Sequence, residues 1–360
     1  MNDISKELIT IILSVKGRQE FSKRWLEYMH LINCEYPIII ADGDADNYLK
    51  ELINDSRYEK LNISFFEHDQ KIKFIDYYKM MKEAASRVAT PFMMLVDNDD
   101  FIFPSGINKI VDFLSKNSEY ISAGSQIKSI SINNNSDDIY GRNIINHFYG
   151  EYHRTDEPIQ DLNKQLYDSI NNFQSTWYNV HKTESALKIF SEIVEQDFSD
   201  LTIYEMYFQL RLLSLGRIKH LNQFVHYIRQ TGTSSSKDMV LTRDLISKDL
   251  PNDIRKLAQS ISKAFSANNS EIFEKVILHS YENYLGYYFS HNVLRYRFPK
   301  LYKFKSSIIN NSLFTTLIRI KNSLRENLTL RQIYSLYDDK SLKNLKSEVQ
   351  TLKKFLGKVD

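Results

Sequence analysis

The run Pro91-Phe92-Met93-Met94-Leu95-Val96 and the four residues after it, Asp97-Asn98-Asp99-Asp100, constrain this chain more than any other stretch. An unbroken apolar run entered through Thr90 reads as a short strand buried on both faces. Three carboxylates then emerge at its C-terminal end, ahead of apolar Phe101-Ile102-Phe103 and the turn former Pro104. Open α/β sheets bind ligands at the C-terminal ends of their strands. Hard oxygen ligands clustered there suit Mg2+ or Mn2+ holding a phosphate. The plainer reading is a helix cap, because Asp caps helices and Pro104 can open one. One Asp would satisfy that reading, whereas three argue for a site.

The rest of the first 120 residues alternates as βαβ units do. Leu8 to Leu13 reads as a buried strand, Phe21 to Leu31 as an amphipathic helix, and Pro37 to Ala41 as a second buried strand ending at Asp42-Gly43-Asp44. Tyr48 to Ile53 is expected to be helical, Ile63 to Phe66 a short strand, and Ile72 to Val88 a helix that delivers the chain to the acidic strand. A helix over Ile107 to Ser115 and a strand over Ile121 to Gly124 complete this half. The expected fold is α/β, a Rossmann-like nucleotide-binding sheet flanked by helices.

Beyond it, residues 131 to 175 are rich in Asn, Asp and Tyr and read as an irregular flap. Phe198 to Gly216 reads as a helix that Gly216 ends, Ile218 to Ile228 as a strand, and Arg229 to Asp238 as a polar loop. From about Asp244 the pattern is helical. The expected division is therefore an α/β domain over residues 1 to 238 and an α-helical C-terminal region over 239 to 360.

Composition narrows the function. With 42% hydrophobic and 26% charged residues the chain reads as soluble and globular, and a net charge of +2 gives no field that would draw it to nucleic acid. The single cysteine, Cys34, excludes an internal disulfide and a cysteine-based zinc site, and its apolar context reads as burial. An acidic N-terminus without a long apolar core is not a signal peptide, and no window reaches 18 apolar residues. The expected compartment is the cytoplasm.

Together these pieces resemble the GT-A fold of family 2-type glycosyltransferases, the nucleotide-sugar-dependent inverting enzymes, over roughly residues 8 to 232. Ile11 to Arg18 followed by Glu20-Phe21 is similar to the family's opening strand and turn, with Gly17 where Asn is usual. Ile40-Ala41-Asp42-Gly43-Asp44 resembles the strand whose terminal Asp receives the base. Thr90 to Phe101 resembles the DxD segment. Glu205, Arg211 and Gly216 share the family's spacing of an acidic residue, an Arg six positions on and a Gly eleven on, although Tyr204 replaces the acidic residue that commonly precedes the first.

The resemblance implies a role for each matched position. Ser14, Arg18, Asp42, Asp97, Asn98 and Arg229 would contact the nucleotide, with Asp97 near the ribose. Asp99 would ligate Mn2+ or Mg2+, with His226 as a further ligand. Glu205 would be the catalytic base, with Asp200 as its fallback. Alternation puts His226 and Ile228 on one face of their strand and Tyr227 and Arg229 on the other. Arg229 can pair bidentately with phosphate oxygens. Lys73 and Trp177-Tyr178 are further candidate contacts.

The implied activity is inverting transfer of a sugar from a nucleoside-diphosphate donor, UDP-linked by preference. The hydroxyl acceptor would be a glycan or lipid-linked, in surface polysaccharide synthesis. A sugar-phosphate nucleotidyltransferase and a non-catalytic scaffold of the same fold stay open as alternatives. Gly17 and Tyr204 are the departures that keep the scaffold open, while only Gly17-Arg18 stands for a nucleotidyltransferase loop.

From Arg295 to Arg325 the chain is basic and aromatic without an Asp or Glu. That stretch suits peripheral contact with the anionic cytoplasmic face of an inner membrane, or equally a solvated face of a small helical bundle. The last helix, Ser341 to Leu356, carries Leu342, Leu345, Val349, Leu352 and Leu356 at a/d-like spacing. It is expected to pack on that bundle or on a second copy of the chain.

Overall fold

The computed structural model describes residues 7–44, 47–68, 74–133, 139–147, 169–170, 175–199, 201–231, 250–265 and 337–357, with scattered helical positions between 271 and 335. The elements run β1 (Ile9–Val15), α1 (Gln19–Leu31), β2 (Ile38–Asp42), α2 (Tyr48–Ile53), β3 (Ile63–Glu67), α3 (Phe74–Ser86), β4 (Phe92–Asp97), β5 (Phe101–Ile102) and α4 (Pro104–Lys116). Then follow β6 (Tyr120–Asn133), β7 (Arg142–His147), β8 (Val180–Lys182), α5 (Thr183–Gln196), α6 (Leu201–Leu215), β9 (Arg217–Thr231), α7 (Leu250–Ala264) and α8 (Asp339–Leu356).

The described strands join one sheet in the order β3-β2-β1-β4-β8-β6-β9-β5, with β7 paired to β6. The first four are mutually parallel. In that half β1 and β2 are buried almost throughout, as is β4 up to its last residue. This is why they read as apolar runs rather than as alternation. Their register aligns Ser14 with Asp97 and Val15 with Asp42, so these side chains reach one edge of the sheet together.

The second half is mixed. Long β6 and β9 run parallel with register shifts, while β8 and β5 join antiparallel. Two expectations need correction here. Of the stretch read as an irregular flap, residues 131–133 and 142–147 are instead strand, because β6 continues to Asn133 and β7 pairs along it, while 134–138, 148–168 and 171–174 lie outside the described residues. Ser129-Ile130-Ser131-Ile132 alternates with period two, and the surrounding Asn and Ser residues mask it. Arg229, Gln230 and Thr231 belong to β9 rather than to a loop; residues 232 to 249 and 295 to 323 lie outside the described residues, as do Lys73 and Asp200.

The last helix is the third correction. Its buried face, Leu345, Val349, Leu352, Phe355 and Leu356, lies on the α/β sheet domain. The Phe355 ring sits 5.6 Å from both Tyr28 and Tyr140. Glu348 accepts hydrogen bonds from the Ser105 backbone N–H (2.9 Å) and hydroxyl (2.5 Å), occupying the donors at the start of α4. No described helix is long and apolar enough to cross a membrane.

Candidate active site

The acidic segment is built by what surrounds it. The N-cap of α4 is Phe103, and Pro104 opens the helix, so none of the three aspartates caps it. Asp97, Asp99 and Asp100 instead converge, each offering an oxygen within 4.8 Å of the others. Asp99 and Asp100 are buried and Asp97 is half-buried.

Each carboxylate is held from a different direction. Arg18 donates to Asp99 Oδ2 at 2.8 Å. The Tyr178 hydroxyl donates to Asp97 Oδ2 at 2.8 Å, and the Tyr227 hydroxyl to Asp100 Oδ2 at 2.7 Å. The Gln230 backbone N–H completes Asp100 through Oδ1 at 2.7 Å. Tyr178 and Tyr227 stack with centroids 4.3 Å apart, which fixes both hydroxyls. Burial pushes both phenols well above their ordinary range, so they stay protonated donors.

Electrostatically, burial and mutual repulsion act against ionisation of two of the three carboxyls. Burial, then the neighbouring Asp99, raises Asp97 above the usual carboxylate range even with Arg229 and Arg18 nearby. Burial, then Asp99 and Asp97, raises Asp100 further. Clustered carboxylates in that state are relieved by a cation. Their hard oxygens suit Mg2+ or Mn2+, and an ionised carboxylate has about four lone-pair sites, so one or two accepted bonds do not saturate it. The donor set therefore fits a divalent ion.

The turn after β1 places Arg18. Gly17 and Arg18 are consecutive left-handed residues with φ of 66° and 57°. Glycine adopts this conformation freely and arginine at a cost, which gives the departure at Gly17 a physical reason. Asn98 holds the turn through its amide, which donates to Ser22 Oγ at 2.9 Å and to the Gly17 and Arg18 carbonyls at 3.3 Å. It also accepts from Arg18 at 3.1 Å. At 2% exposure its side chain is committed to the turn, where it positions Arg18.

Asp42 is buried at the end of β2 and accepts from the Asp44 N–H at 2.9 Å. Ser14, in register with Asp97 and one residue before the partner of Asp42, accepts from the Tyr77 hydroxyl at 3.2 Å. Arg229 lies with its guanidinium 5.6 Å from the Tyr178 ring centre and its charge felt by Asp97.

Glu205 sits on α6, where every other residue from Ile203 to Leu213 is buried. Burial first, then Asp97, then Glu205 raise the Tyr77 hydroxyl, so that hydroxyl feels both carboxylates. Glu205 is thus near enough to Tyr77 for its charge to act on the same hydroxyl as that of Asp97. Arg211, in contrast, ties α6 to α5 through two 2.7 Å bonds to Glu192. A Cβ at Gly216 would come within 2.7 Å of Ile121, so close backbone approach requires the glycine. Two of the three spaced residues are thus structural.

His226 does not join the cluster. Its ring is fully buried, Nδ1 bonds Ser125 Oγ at 2.8 Å and Nε2 bonds the Tyr178 carbonyl at 2.9 Å, leaving neither nitrogen for a metal. Burial lowers its pKa to about 4. Tyr227, on the opposite face of β9, is the residue that reaches the aspartates. Arg24 was equally illegible: fully buried, it donates to the Asp99 carbonyl at 2.9 Å and the Ile139 carbonyl at 2.6 Å, with Phe21 and Phe101 against its guanidinium. Trp177 packs among Tyr77, Tyr78, Phe190 and Phe208, a core role.

No family model matches the sequence, and no curated protein does. Solved structures do match the fold. Residues 1–349 of S. aureus TarS, a GT-A-type family 2 glycosyltransferase, superpose with a TM-score of 0.51 at 13% identity, covering 79% of this chain and 74% of that one. The same TarS fragment in complex with UDP-GlcNAc gives 0.52 at 10% identity, over 97% and 90% of the two chains.

This chain has the GT-A fold.

The likeness to TarS covers both half-sheets, so the acidic edge described above is the C-terminal edge of a GT-A sheet.

Proposed function

We propose that the chain is a metal-dependent, inverting glycosyltransferase that takes a nucleoside-diphosphate sugar, UDP-linked by preference, as its donor. One observation carries this reading. Asp97, Asp99 and Asp100 converge at the C-terminal end of β4, and burial and mutual repulsion make the site favour a cation. The TarS fragment crystallised with UDP-GlcNAc supports the choice of donor.

In this reading Asp99, with Asp97 and Asp100 beside it, holds Mn2+ or Mg2+, and the bound ion supplies neutralisation of the diphosphate leaving group. Asp42 and Ser14 line the nucleoside end of the same edge. Arg229 faces the phosphates with a fixed guanidinium. Glu205 accepts the proton of the attacking acceptor hydroxyl as the glycosidic bond forms and the nucleoside diphosphate departs. General-base assistance of this kind is worth on the order of 10²- to 10⁴-fold. A glycan or lipid-linked acceptor, met at the cytoplasmic face of an inner membrane through residues 295 to 325, rests on sequence alone.

The test is product analysis. Incubating the full chain with UDP-GlcNAc and Mn2+ should release UDP as the sugar passes to an acceptor hydroxyl or to water. Release should cease in EDTA and fall with Glu205→Gln. A chain that binds UDP with Mn2+ but releases none, with any acceptor glycan supplied, would be a scaffold and not an enzyme.

A further inference from the structure

Arg24 is fully buried on α1, and its guanidinium bonds no carboxylate. Nη2 donates to the Asp99 carbonyl at 2.9 Å and Nη1 to the Ile139 carbonyl at 2.6 Å. The ring centres of Phe21 and Phe101 lie 4.7 and 4.8 Å from it. Nε has no hydrogen-bond partner among the described residues. Burial lowers the group to about 10, opposed first by the attraction of Asp99, so it stays charged at neutral pH.

A buried charge held only by carbonyls costs stability, and an apolar side chain of similar volume would fill the space without that cost. What an apolar side chain cannot do is span two carbonyls. One of them stands on a fixed base. The Tyr140 hydroxyl donates to Glu27 at 2.5 Å, and the Gly141 N–H donates to the Leu356 carbonyl at 2.8 Å. The two residues after Ile139 are thus tied to α1 and to the end of α8.

The other carbonyl belongs to the acidic segment itself. It lies in the peptide that joins Asp99 to Asp100, inside a turn closed by the Asp100 N–H on the Asp97 carbonyl at 3.2 Å. A peptide group is planar, so holding its carbonyl restricts the orientation of the residues on both sides. Arg18 holds the Asp99 carboxylate at 2.8 Å while Arg24 holds the Asp99 carbonyl. Two arginines of one helix end therefore grip the same residue, one by its side chain and one by its backbone.

We propose that Arg24 is a positioning residue for the divalent ion, fixing the Asp99–Asp100 peptide so that the three carboxylates keep the convergent arrangement that receives a cation. The presence of the ion rests on the glycosyltransferase reading; the grip on Asp99 does not. Partners that orient metal ligands without touching the metal are typically worth about 10- to 100-fold in metal affinity. A pin that merely fastened residues 139 to 141 to the core would leave the demand for metal unchanged.

Calorimetric titration of UDP into the full chain at a series of fixed Mn2+ concentrations tests this. In Arg24→Met the Mn2+ concentration that supports half of the UDP binding should rise about tenfold or more. At saturating Mn2+ its UDP affinity should return to within about twofold of wild type, which also reports a native fold. Arg24→Lys keeps the buried charge without the two-pronged fork, and its Mn2+ requirement should fall between the two. Leu114→Ala, a core truncation at the far end of α4, should lower the urea midpoint and leave the Mn2+ requirement unchanged. A wild-type Mn2+ requirement in Arg24→Met, or in Arg24→Lys should the Met variant not fold, would overturn the proposal and leave the donor-site reading standing. So would an equal rise in Leu114→Ala. Wild-type binding of UDP that ignores Mn2+ would overturn the metal reading and this proposal with it.

Discussion

The two halves of the sheet divide the work of the acidic edge. The parallel half, β3-β2-β1-β4, ends its strands in charge, with Asp42, Asp97 and the aspartates just beyond β4. The mixed half contributes no carboxylate to the cluster among the described residues. Through Tyr178 beside β8, and Tyr227 and the Gln230 N–H on β9, it holds the carboxylates the first half presents. Charge is placed by one half and kept in order by the other. Like charges packed within 4.8 Å need both a rigid frame and a counter-ion.

Substitutions in the first half should therefore abolish function, and those in the second should loosen it. Asp99→Ala should remove Mn2+-dependent donor binding and lower turnover by roughly 10³-fold or more, read by UDP release. Glu205→Gln should lower kcat on the order of 10²- to 10⁴-fold while leaving UDP affinity within about twofold, which separates a base from a binding residue. Unchanged turnover in Glu205→Gln would remove it from the mechanism.

Next in size is Tyr227→Phe, which strips a donor from a buried carboxylate. It should cost about 1–3 kcal/mol of stability in EDTA, measured by urea unfolding, with part recovered in Mn2+. An equal loss in both conditions would mean that Tyr227 supports packing alone. His226→Gln should leave Mn2+ affinity unchanged, because neither ring nitrogen is available to the ion.

The smallest effect concerns pH. Asp97 and Asp100 hold their protons more tightly folded than unfolded. Their contribution to stability is thus present below the unfolded carboxylate pKa, about 3.9, and is lost as pH rises through the raised folded values. In EDTA the Tm of wild type should fall across that window more steeply than that of Asp100→Asn. Mn2+ competes with those protons, so its stabilisation should grow over the same window.

The first half was legible because strands buried on both faces leave unbroken apolar runs, and a carboxylate at the end of such a run stands out. Gly17 and Asn98 looked like departures or ligands, yet together they form a left-handed turn whose need shows only in φ. The second half was harder to read because its contributions depend on register. Alternation correctly separated His226 from Tyr227, but which face met the aspartates was set by the pairing of Ile102 with Tyr227 across β5 and β9. Arg24 carries no signal at all, since an arginine on an amphipathic helix reads as solvated until its carbonyl partners are known.

The most direct measurement is calorimetric titration of UDP into the chain in Mn2+ and in EDTA, for wild type, Asp99→Ala and Tyr227→Phe. Metal-dependent binding is expected in wild type, lost in Asp99→Ala and weakened in Tyr227→Phe. Equal binding with and without metal, or binding that survives Asp99→Ala, would contradict a cation held at the acidic edge.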